Sequence, residues 1–230
     1  MKNTSKILLI GGTSSIAPQL INKFLQEGYM ITATYRNKDK SRVTSDSLYW
    51  VHLDLNSRRS VSDFVIEIRE SEFDRVIVLI GSTFKLEYDQ SDIEILNSYY
   101  TNYVSSINFL IIQSLARLKP LGNLVAFSSR AGSRPSYDVH YAAAKGALES
   151  LVQSIAPKLR DMQSVICIAP SLVEDSEMYS EMSQENIQKH KARSNQKLLT
   201  ISEIVEFTFE MSPQVTFKIN GRTIPLGADY

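Results

Sequence analysis

Short apolar runs rich in β-branched residues alternate along this chain with segments of helical apolar spacing. The runs begin at Lys6, Met30, Leu48, Arg75, Asn123 and Ser164. Strands that are joined through helices run parallel, and a parallel sheet needs helices on both of its faces. The pattern therefore predicts an α/β fold, with a doubly wound, mostly parallel sheet between two layers of helices.

Length and charge limit the possible classes of protein. The 230 residues, of which 43% are hydrophobic, predict one domain over 1–230. Acidic and basic residues both number 25, so no charge excess favours nucleic acid or an anionic membrane as a partner. No apolar run approaches the roughly 18 residues of a membrane span. With no signal peptide either, we expect a soluble, cytoplasmic protein.

The metal-binding side chains predict no metal site. The three histidines are scattered along the chain. Cys167 is the only cysteine, and its apolar neighbours are typical of a buried strand.

A glycine turn separates the first strand from the first helix. The apolar run from Lys6 to Ile10 is followed by 11–17, with the sequence Gly-Gly-Thr-Ser-Ser-Ile-Ala. A glycine lets the backbone approach a pyrophosphate, and the N–H groups of a helix start favour the anion. Ser15 and Ala17 stand where dinucleotide-binding loops often have glycine. The turn predicts a nucleotide site, and the alternative is an ordinary strand-to-helix turn.

Arg36 directly follows the second predicted strand, Met30 to Tyr35, and no acid precedes Asp39. Sites for NAD usually have an acid here that binds the ribose 2′-hydroxyl, whereas an arginine suits a 2′-phosphate. The sequence therefore favours NADP(H) over NAD(H), unless Arg36 is a solvated residue at a strand end.

Tyr141 and Lys145 are four residues apart in a predicted helix, twelve residues after the serine pair Ser128 and Ser129. Residues four apart share a helix face, and an ammonium group near a phenol favours the phenolate. The spacing alone is unspecific. However, the serines end a predicted strand, and open α/β sheets bind ligands at the carboxyl ends of strands. The arrangement predicts a proton-transfer site.

Three further segments of the chain permit predictions about function or fold. Asn102 lies within the helical spacing of 93–118, where asparagine is mildly unfavourable, which hints at a functional side chain. The polar segment 171–200 is either a substrate lid or a mobile insertion. After a helix over 201–211, we expect 216–219 and 222–226 to close the sheet or to form a hairpin around Asn220 and Gly221.

The order of these landmarks resembles that of the short-chain dehydrogenase/reductase family. The resemblance covers nearly the whole chain and includes the glycine turn, Asp54, Gly81, Asn102, the serine pair, Tyr141 with Lys145, and the final 220–227 segment. It implies a Rossmann-type sheet of seven strands. It also implies an NADPH-dependent carbonyl reductase, or the reverse alcohol dehydrogenase, that acts on a small carbonyl or hydroxyl substrate.

The resemblance also assigns roles to residues. Tyr141 is the acid/base, Lys145 adjusts its pKa and binds the ribose, Ser129 polarises the carbonyl, and Asn102 anchors a water molecule. Ser128 is the alternative serine, because alignment on Gly132 favours Ser129 while the commoner spacing to the tyrosine favours Ser128. Cofactor contacts are implied for Gly11, Thr13, Ser14, Ser15, Ile16, Arg36, Asp54, Leu55, Gly81, Tyr141, Lys145 and Pro170.

The resemblance implies a homodimer or homotetramer, formed through the helix over 97–118 and the helix that carries Tyr141. Tyrosines and aliphatic residues on these helices provide apolar surface for it: Tyr99, Tyr100, Tyr103, Leu148, Leu151 and Ile155.

A catalytically inactive regulatory or scaffold protein of the same fold is the alternative function, because a fold alone does not establish turnover.

Overall fold

The computed structural model describes residues 5–37, 45–84, 92–195 and 197–227. Within these residues, seven strands form one sheet in which every pairing is parallel. The strands are β1 (Lys6–Ile10), β2 (Met30–Tyr35), β3 (Leu48–His52), β4 (Phe73–Val78), β5 (Leu118–Phe127), β6 (Ser164–Pro170) and β7 (Thr223–Leu226). Their spatial order is β3-β2-β1-β4-β5-β6-β7. The doubly wound α/β architecture predicted from the sequence is confirmed.

Helices connect the strands and cover both faces of the sheet. They are α1 (Ala17–Gln26), α2 (Arg58–Glu67), α3 (Ile93–Tyr100), α4 (Ser106–Leu115), α5 (Val139–Ile155), α6 (Glu177–Glu181), α7 (Gln184–Arg193), α8 (Ile201–Glu210) and α9 (Pro213–Lys218). One hydrophobic cluster joins the sheet to α2, α4 and α5, and a second joins it to α1 and α8.

Alternation along each strand divides the side chains between these two clusters. On β1, Leu8 and Ile10 belong to the cluster on the α5 side, whereas Ile7 and Leu9 belong to the cluster on the α1 side. Successive side chains of a strand point to opposite faces, so a continuous apolar run is needed where both faces are buried. This explains why the central strands read as unbroken apolar segments.

The sequence prediction was wrong near the carboxyl terminus. Thr216 does not lie in a strand or hairpin but in α9, and only β7 extends the sheet, parallel to β6. Pro213 occupies the first turn of α9, where its missing N–H costs no hydrogen bond. The hydroxyl of Thr216 lies 2.8 Å from that of Ser164 and 3.1 Å from the carbonyl of Ser212. The hydroxyl of Thr216 therefore helps to hold α9 against the sheet.

The predicted helix over 93–118 is divided. Between α3 and α4 the residues Thr101–Ser105 form a π-helical turn, and β5 already begins at Leu118. Such turns bulge one residue out of the regular helix and occur often at functional sites. Asn102 lies in this turn.

The polar segment 171–200 contains two helices, α6 and α7. A small hydrophobic cluster of Leu172, Ile187 and Leu198 packs against Met178, Tyr179 and Met182. These apolar residues hold the segment together, while Val173 and Leu199 join it to the main core on the α1 side.

Arg75 is buried in β4, with 2% of its surface exposed. Its guanidinium donates to the carbonyls of Thr208 (2.9 Å), Phe209 (3.0 Å) and Met211 (2.7 Å) at the end of α8. The Thr208 carbonyl also accepts from the Met211 N–H at 3.3 Å, and the Met211 carbonyl also accepts from Nδ2 of Asn123 at 2.8 Å. The arginine completes the hydrogen bonding of this buried helix end. Arg75 thereby fixes α8 to the sheet.

We predict that Arg75→Met lowers the free energy of unfolding by about 2–4 kcal/mol, because it removes charge-assisted hydrogen bonds from the carbonyls of a buried helix end. Chemical denaturation measures this loss. Arg59→Met is the control, since the side chain of Arg59 is 91% exposed, and we expect it to change stability by less than about 0.5 kcal/mol. Equal effects of the two substitutions would contradict the assignment.

Candidate active site

A cavity of about 390 Å³ opens at the carboxyl ends of the central strands. In parallel sheets of this kind, ligands bind at this edge. The lining includes every position that the sequence predicted to contact a cofactor: Gly11, Thr13, Ser14, Ser15, Ile16, Arg36, Asp54, Leu55, Gly81, Tyr141, Lys145 and Pro170. Ser128 and Ser129 also line it, but Asn102 is not among the lining residues.

The glycine turn depends on both of its glycines. Gly11 has a φ of +94°, in the left-handed region that favours glycine, and its N–H donates to the Thr34 hydroxyl at 2.8 Å. A side chain at Gly12 would come within 2.8 Å of the Trp50 ring and within 2.9 Å of the Ala33 side chain. The turn is therefore pressed closely against β2 and β3.

The residues of this turn fit a phosphate group. The hydroxyl of Ser14 is buried and has no hydrogen-bond partner among the described residues, although Ser14 lines the cavity. Ile16 caps α1 without a side-chain hydrogen bond to the first turn. A helix start without a capping side chain leaves backbone N–H groups for an anion, and an unpartnered buried hydroxyl can donate to one.

Arg36 and Asn37 are exposed at the end of β2, and both line the cavity. Asp39 lies outside the described residues. Across the same edge, Asp54 accepts hydrogen bonds from the backbone and side-chain nitrogens of Asn56, at 3.0 and 3.1 Å. The cavity thus has a cationic side chain at one strand end and a carboxylate at the next.

The side chain of Ser129 lies beside the Tyr141 phenol, close enough for hydrogen bonding to lower the pKa of the tyrosine. Ser128 points elsewhere, because its hydroxyl donates to Oε1 of Glu149 at 2.6 Å. Alternation along a strand accounts for this difference, since neighbouring side chains leave on opposite faces. Of the two serines, the structure brings Ser129 to the tyrosine.

Asp138, which the sequence analysis overlooked, fixes the start of the helix that carries Tyr141. Its carboxylate accepts from the Tyr141 N–H at 2.8 Å and from the Phe84 N–H at 2.6 Å. An aspartate three residues before the motif is a typical helix cap, and that spacing was the available signal.

The phenol of Tyr141 is held in its protonated form. Burial raises the pKa of Tyr141 to about 12, the bond from Ser129 lowers it, and the negative charge of Asp138 raises it. We expected Lys145 to lower this pKa, and the structure does not show that effect. The lysine is directed towards backbone carbonyls instead, with Nζ 5.7 Å from the centroid of the tyrosine ring.

Lys145 is buried below the cavity with 6% of its surface exposed. Its Nζ donates to the carbonyl of Phe127, the last residue of β5, at 2.8 Å. It also donates to the carbonyl of Ile80, just after the end of β4, at 3.2 Å. Burial lowers the pKa of Lys145 to about 8, while Cys167 and Glu149 raise it. A side chain at Gly81 would lie 2.7 Å from Nζ, so a glycine leaves room for the ammonium group.

Asn102 is connected to the nucleotide side of the cavity rather than to Tyr141. Its Nδ2 donates to Oδ1 of Asn56 at 2.7 Å, and Asn56 in turn donates to Asp54. The π-helical turn is thereby tied to the loop after β3. The water-anchoring role that the family resemblance implies for Asn102 stays a prediction.

Helix α6 lies along the mouth of the cavity. Glu177, Met178 and Glu181 are lining residues, and the N–H of Glu177 lies 3.4 Å from the Ser15 hydroxyl. The segment predicted as a possible lid therefore reaches the glycine turn.

Two further searches were confined to the residues that the structure describes. No group of three or more histidine, cysteine, aspartate or glutamate side chains there could hold a metal ion. No helix in these ranges combines the length and apolar character needed to cross a membrane.

The sequence matches the family model of the short-chain dehydrogenases over residues 5–187. The chain therefore belongs to the short-chain dehydrogenase/reductase family. Enzymes of this family are oxidoreductases that use a nicotinamide cofactor. None of the curated proteins matches the sequence.

Solved structures of low sequence identity share the fold. BdcA, solved in complex with NADPH, has a TM-score of 0.86 at 17% identity, with 98% of this chain and 94% of that chain covered. A short-chain dehydrogenase/reductase from Serratia marcescens has a TM-score of 0.86 at 17% identity, covering 98% and 97%. A short chain dehydrogenase family protein from Francisella tularensis has a TM-score of 0.83 at 18% identity, covering 97% of each chain.

We predict that Gly81→Ala displaces the Lys145 ammonium and weakens nicotinamide nucleotide binding by roughly tenfold, the effect of losing one charge-assisted hydrogen bond. Fluorescence titration measures the affinity. Ser82→Ala is the matched control, since it alters the next residue without placing an atom near Nζ. Unchanged affinity in Gly81→Ala would show that the site tolerates a displaced lysine.

Proposed function

We propose that this oxidoreductase is an NADP(H)-dependent carbonyl reductase, which in reverse acts as an alcohol dehydrogenase on a small substrate. The observation that carries the proposal is the buried Tyr141 hydroxyl in the cavity, bonded to Ser129, with Lys145 one helical turn further on. This arrangement supports proton transfer to an oxygen atom beside a bound nucleotide.

The nicotinamide cofactor supplies the hydride in reduction and accepts it in oxidation. In the reducing direction Tyr141 donates its hydroxyl proton to the oxygen of the substrate carbonyl. Because the pKa of Tyr141 is about 12, this proton is present at neutral pH. Ser129 donates a hydrogen bond to the same oxygen and so stabilises the negative charge that develops there.

Lys145 is proposed to supply a positive charge one helical turn from the phenolate that Tyr141 becomes after it donates, while burial dominates the pKa of the protonated phenol. A lysine is charged below its pKa, so a pKa of about 8 keeps the ammonium present at neutral pH. The same ammonium is proposed to bind the ribose of the nucleotide.

NADP(H) is proposed as the preferred nucleotide. Arg36 and Asn37 are exposed side chains at the edge of the cavity, and neither is an acid that would repel a 2′-phosphate. The guanidinium of an arginine matches a phosphate with paired donors.

Three further properties are proposed: a substrate lid, self-association and a cytoplasmic location. The contacts of α6 with the cavity support a substrate lid within 171–200. Self-association as a homodimer or homotetramer fits the exposed Phe109 and Ile112 on α4. Of the residues named for this surface, Tyr99 and Leu148 are buried within the chain and do not support it. The others are half-buried: Tyr100, Tyr103, Leu151 and Ile155. A cytoplasmic location stays an expectation from the sequence.

We predict that NADPH binds roughly ten- to a hundredfold more tightly than NADH, because a guanidinium pair with a phosphate is worth about 1.5–3 kcal/mol. Fluorescence titration with both nucleotides tests this. Arg36→Ala should reduce the affinity for NADPH and leave that for NADH unchanged. Equal affinities of the unaltered protein would refute the preference.

We predict that Tyr141→Phe lowers the rate of ketone reduction by about 10²–10⁴, the usual contribution of general acid catalysis, and leaves NADPH affinity intact. NADPH oxidation with an activated ketone such as an α-diketone measures the rate. Tyr49→Phe is the control, because Tyr49 is 59% exposed on the outer strand β3. An unreduced rate in Tyr141→Phe would return the regulatory or scaffold protein to first place.

The same assay separates the other site residues. Lys145→Met should weaken both NADPH binding and turnover. Ser129→Ala should raise the barrier by about 2.7–4 kcal/mol, as expected for loss of a polarising donor. A smaller loss is expected for Ser128→Ala, and the reverse order would identify Ser128 as the polarising hydroxyl.

A further inference from the structure

Glu149 is a buried carboxylate beneath the active site, with 8% of its surface exposed. It lies on α5 one turn beyond Lys145 and was not singled out by the sequence analysis. A buried carboxylate is costly unless it is paired with hydrogen-bond donors or an opposite charge. Its partners therefore indicate why the site contains it.

The first partner is the segment that presents Ser129. Oε1 of Glu149 accepts from the Ser128 hydroxyl at 2.6 Å, at the start of this segment. At its end, a side chain on Gly132 would come within 2.6 Å of the same oxygen, so the short helical turn Arg130–Gly132 packs directly against the carboxylate. Glu149 thus contacts both sides of Ser129.

Glu149 also acts on the buried ammonium of Lys145, which lies four residues earlier on α5 and therefore on the same helix face. The titratable groups that act on it are Glu149 from the same helix and Cys167 from β6, and Tyr141 lies one turn before it. Its other contacts are two backbone carbonyls. Burial raises the pKa of Cys167 to about 12, so this thiol is uncharged at neutral pH. Glu149 is therefore the negative charge that opposes the effect of burial on Lys145.

We propose that Glu149 is a positioning residue with two effects: its charge keeps the Lys145 ammonium protonated in a buried site, and its hydrogen bond to Ser128 holds Ser129 towards Tyr141. The catalytic meaning of both effects rests on the proposed function. The effect on the charge of Lys145, however, is a property of the chain alone and can be measured without turnover.

The first test is the titration of Lys145. Side-chain NMR of protein with ¹³C-labelled lysine gives the pH midpoint of this residue, and Lys145→Met identifies its signal. Glu149→Gln keeps the size and the hydrogen-bond acceptor but removes the charge, so we expect the midpoint to fall by about one pH unit. The control is Glu185→Gln on α7, which removes an exposed carboxylate that is likewise four residues from a lysine, Lys189. An unchanged midpoint in Glu149→Gln would overturn the electrostatic effect.

The second test uses the pH profile of ketone reduction with NADPH. In Glu149→Gln the alkaline limb of kcat/KM should move to lower pH by about the same amount as the Lys145 midpoint. On the acid side, the rate should stay within about twofold of that of the unaltered protein, because the glutamine still accepts a hydrogen bond from Ser128. A uniform loss of rate without a shift would indicate a merely structural role and would contradict the proposal.

Ser128→Ala tests the hydrogen bond between Ser128 and Glu149 by itself. It also provides a test if Glu149→Gln does not fold. It keeps the charge of Glu149, so the Lys145 midpoint should stay at its original value while kcat falls. If kcat is unaffected, the positioning of Ser129 by Glu149 is wrong. A protein that turns over no ketone at all would refute the proposed function, whereas the NMR midpoint would still decide the role of Glu149.

Discussion

The candidate active site depends on the burial of one ammonium group, whose direct partners are backbone carbonyls rather than a carboxylate. Lys145 reaches two backbone carbonyls, of Phe127 and Ile80, at the carboxyl ends of adjacent strands. Desolvation penalises its charge, so each neighbour must either accept a hydrogen bond or supply negative potential. This requirement explains the glycine at 81, which leaves room for Nζ, and the carboxylate at 149 on the same helix.

A second buried cation lies nearer the start of β4. Arg75 satisfies carbonyls at the end of α8, and burial lowers its pKa to about 10. The two buried cations have different roles in the structure. Arg75 closes a helix terminus and fixes the layer on the α1 side, whereas Lys145 lies beneath a cavity on the α5 side. Polar groups in this core are thus placed where backbone carbonyls lack partners.

Where strand ends determine position, the residues predicted from the sequence lie together in the structure. Every predicted cofactor contact lines one cavity, because carboxyl ends of parallel strands meet at one edge. The sequence did not predict that the Asn102 side chain bonds Asn56, and it was wrong for Thr216, which lies in a helix rather than in a strand. Tyr99 and Leu148 were taken as surface and are buried. The direction of a side chain, and the choice between strand and helix at Thr216, both depend on neighbours distant in the sequence.

The sequence by itself determined the family, the parallel sheet and the edge at which the polar motifs gather, because the period of apolar residues and the order of motifs are local properties. Only the tertiary structure showed that Ser129 lies beside Tyr141 while Ser128 turns to Glu149, since this depends on the direction of each side chain beyond β5. It also showed that burial, rather than the neighbouring lysine, dominates the pKa of Tyr141. Solvation and orientation are set by groups brought together from the whole chain, and spacing along the sequence carries no measure of either.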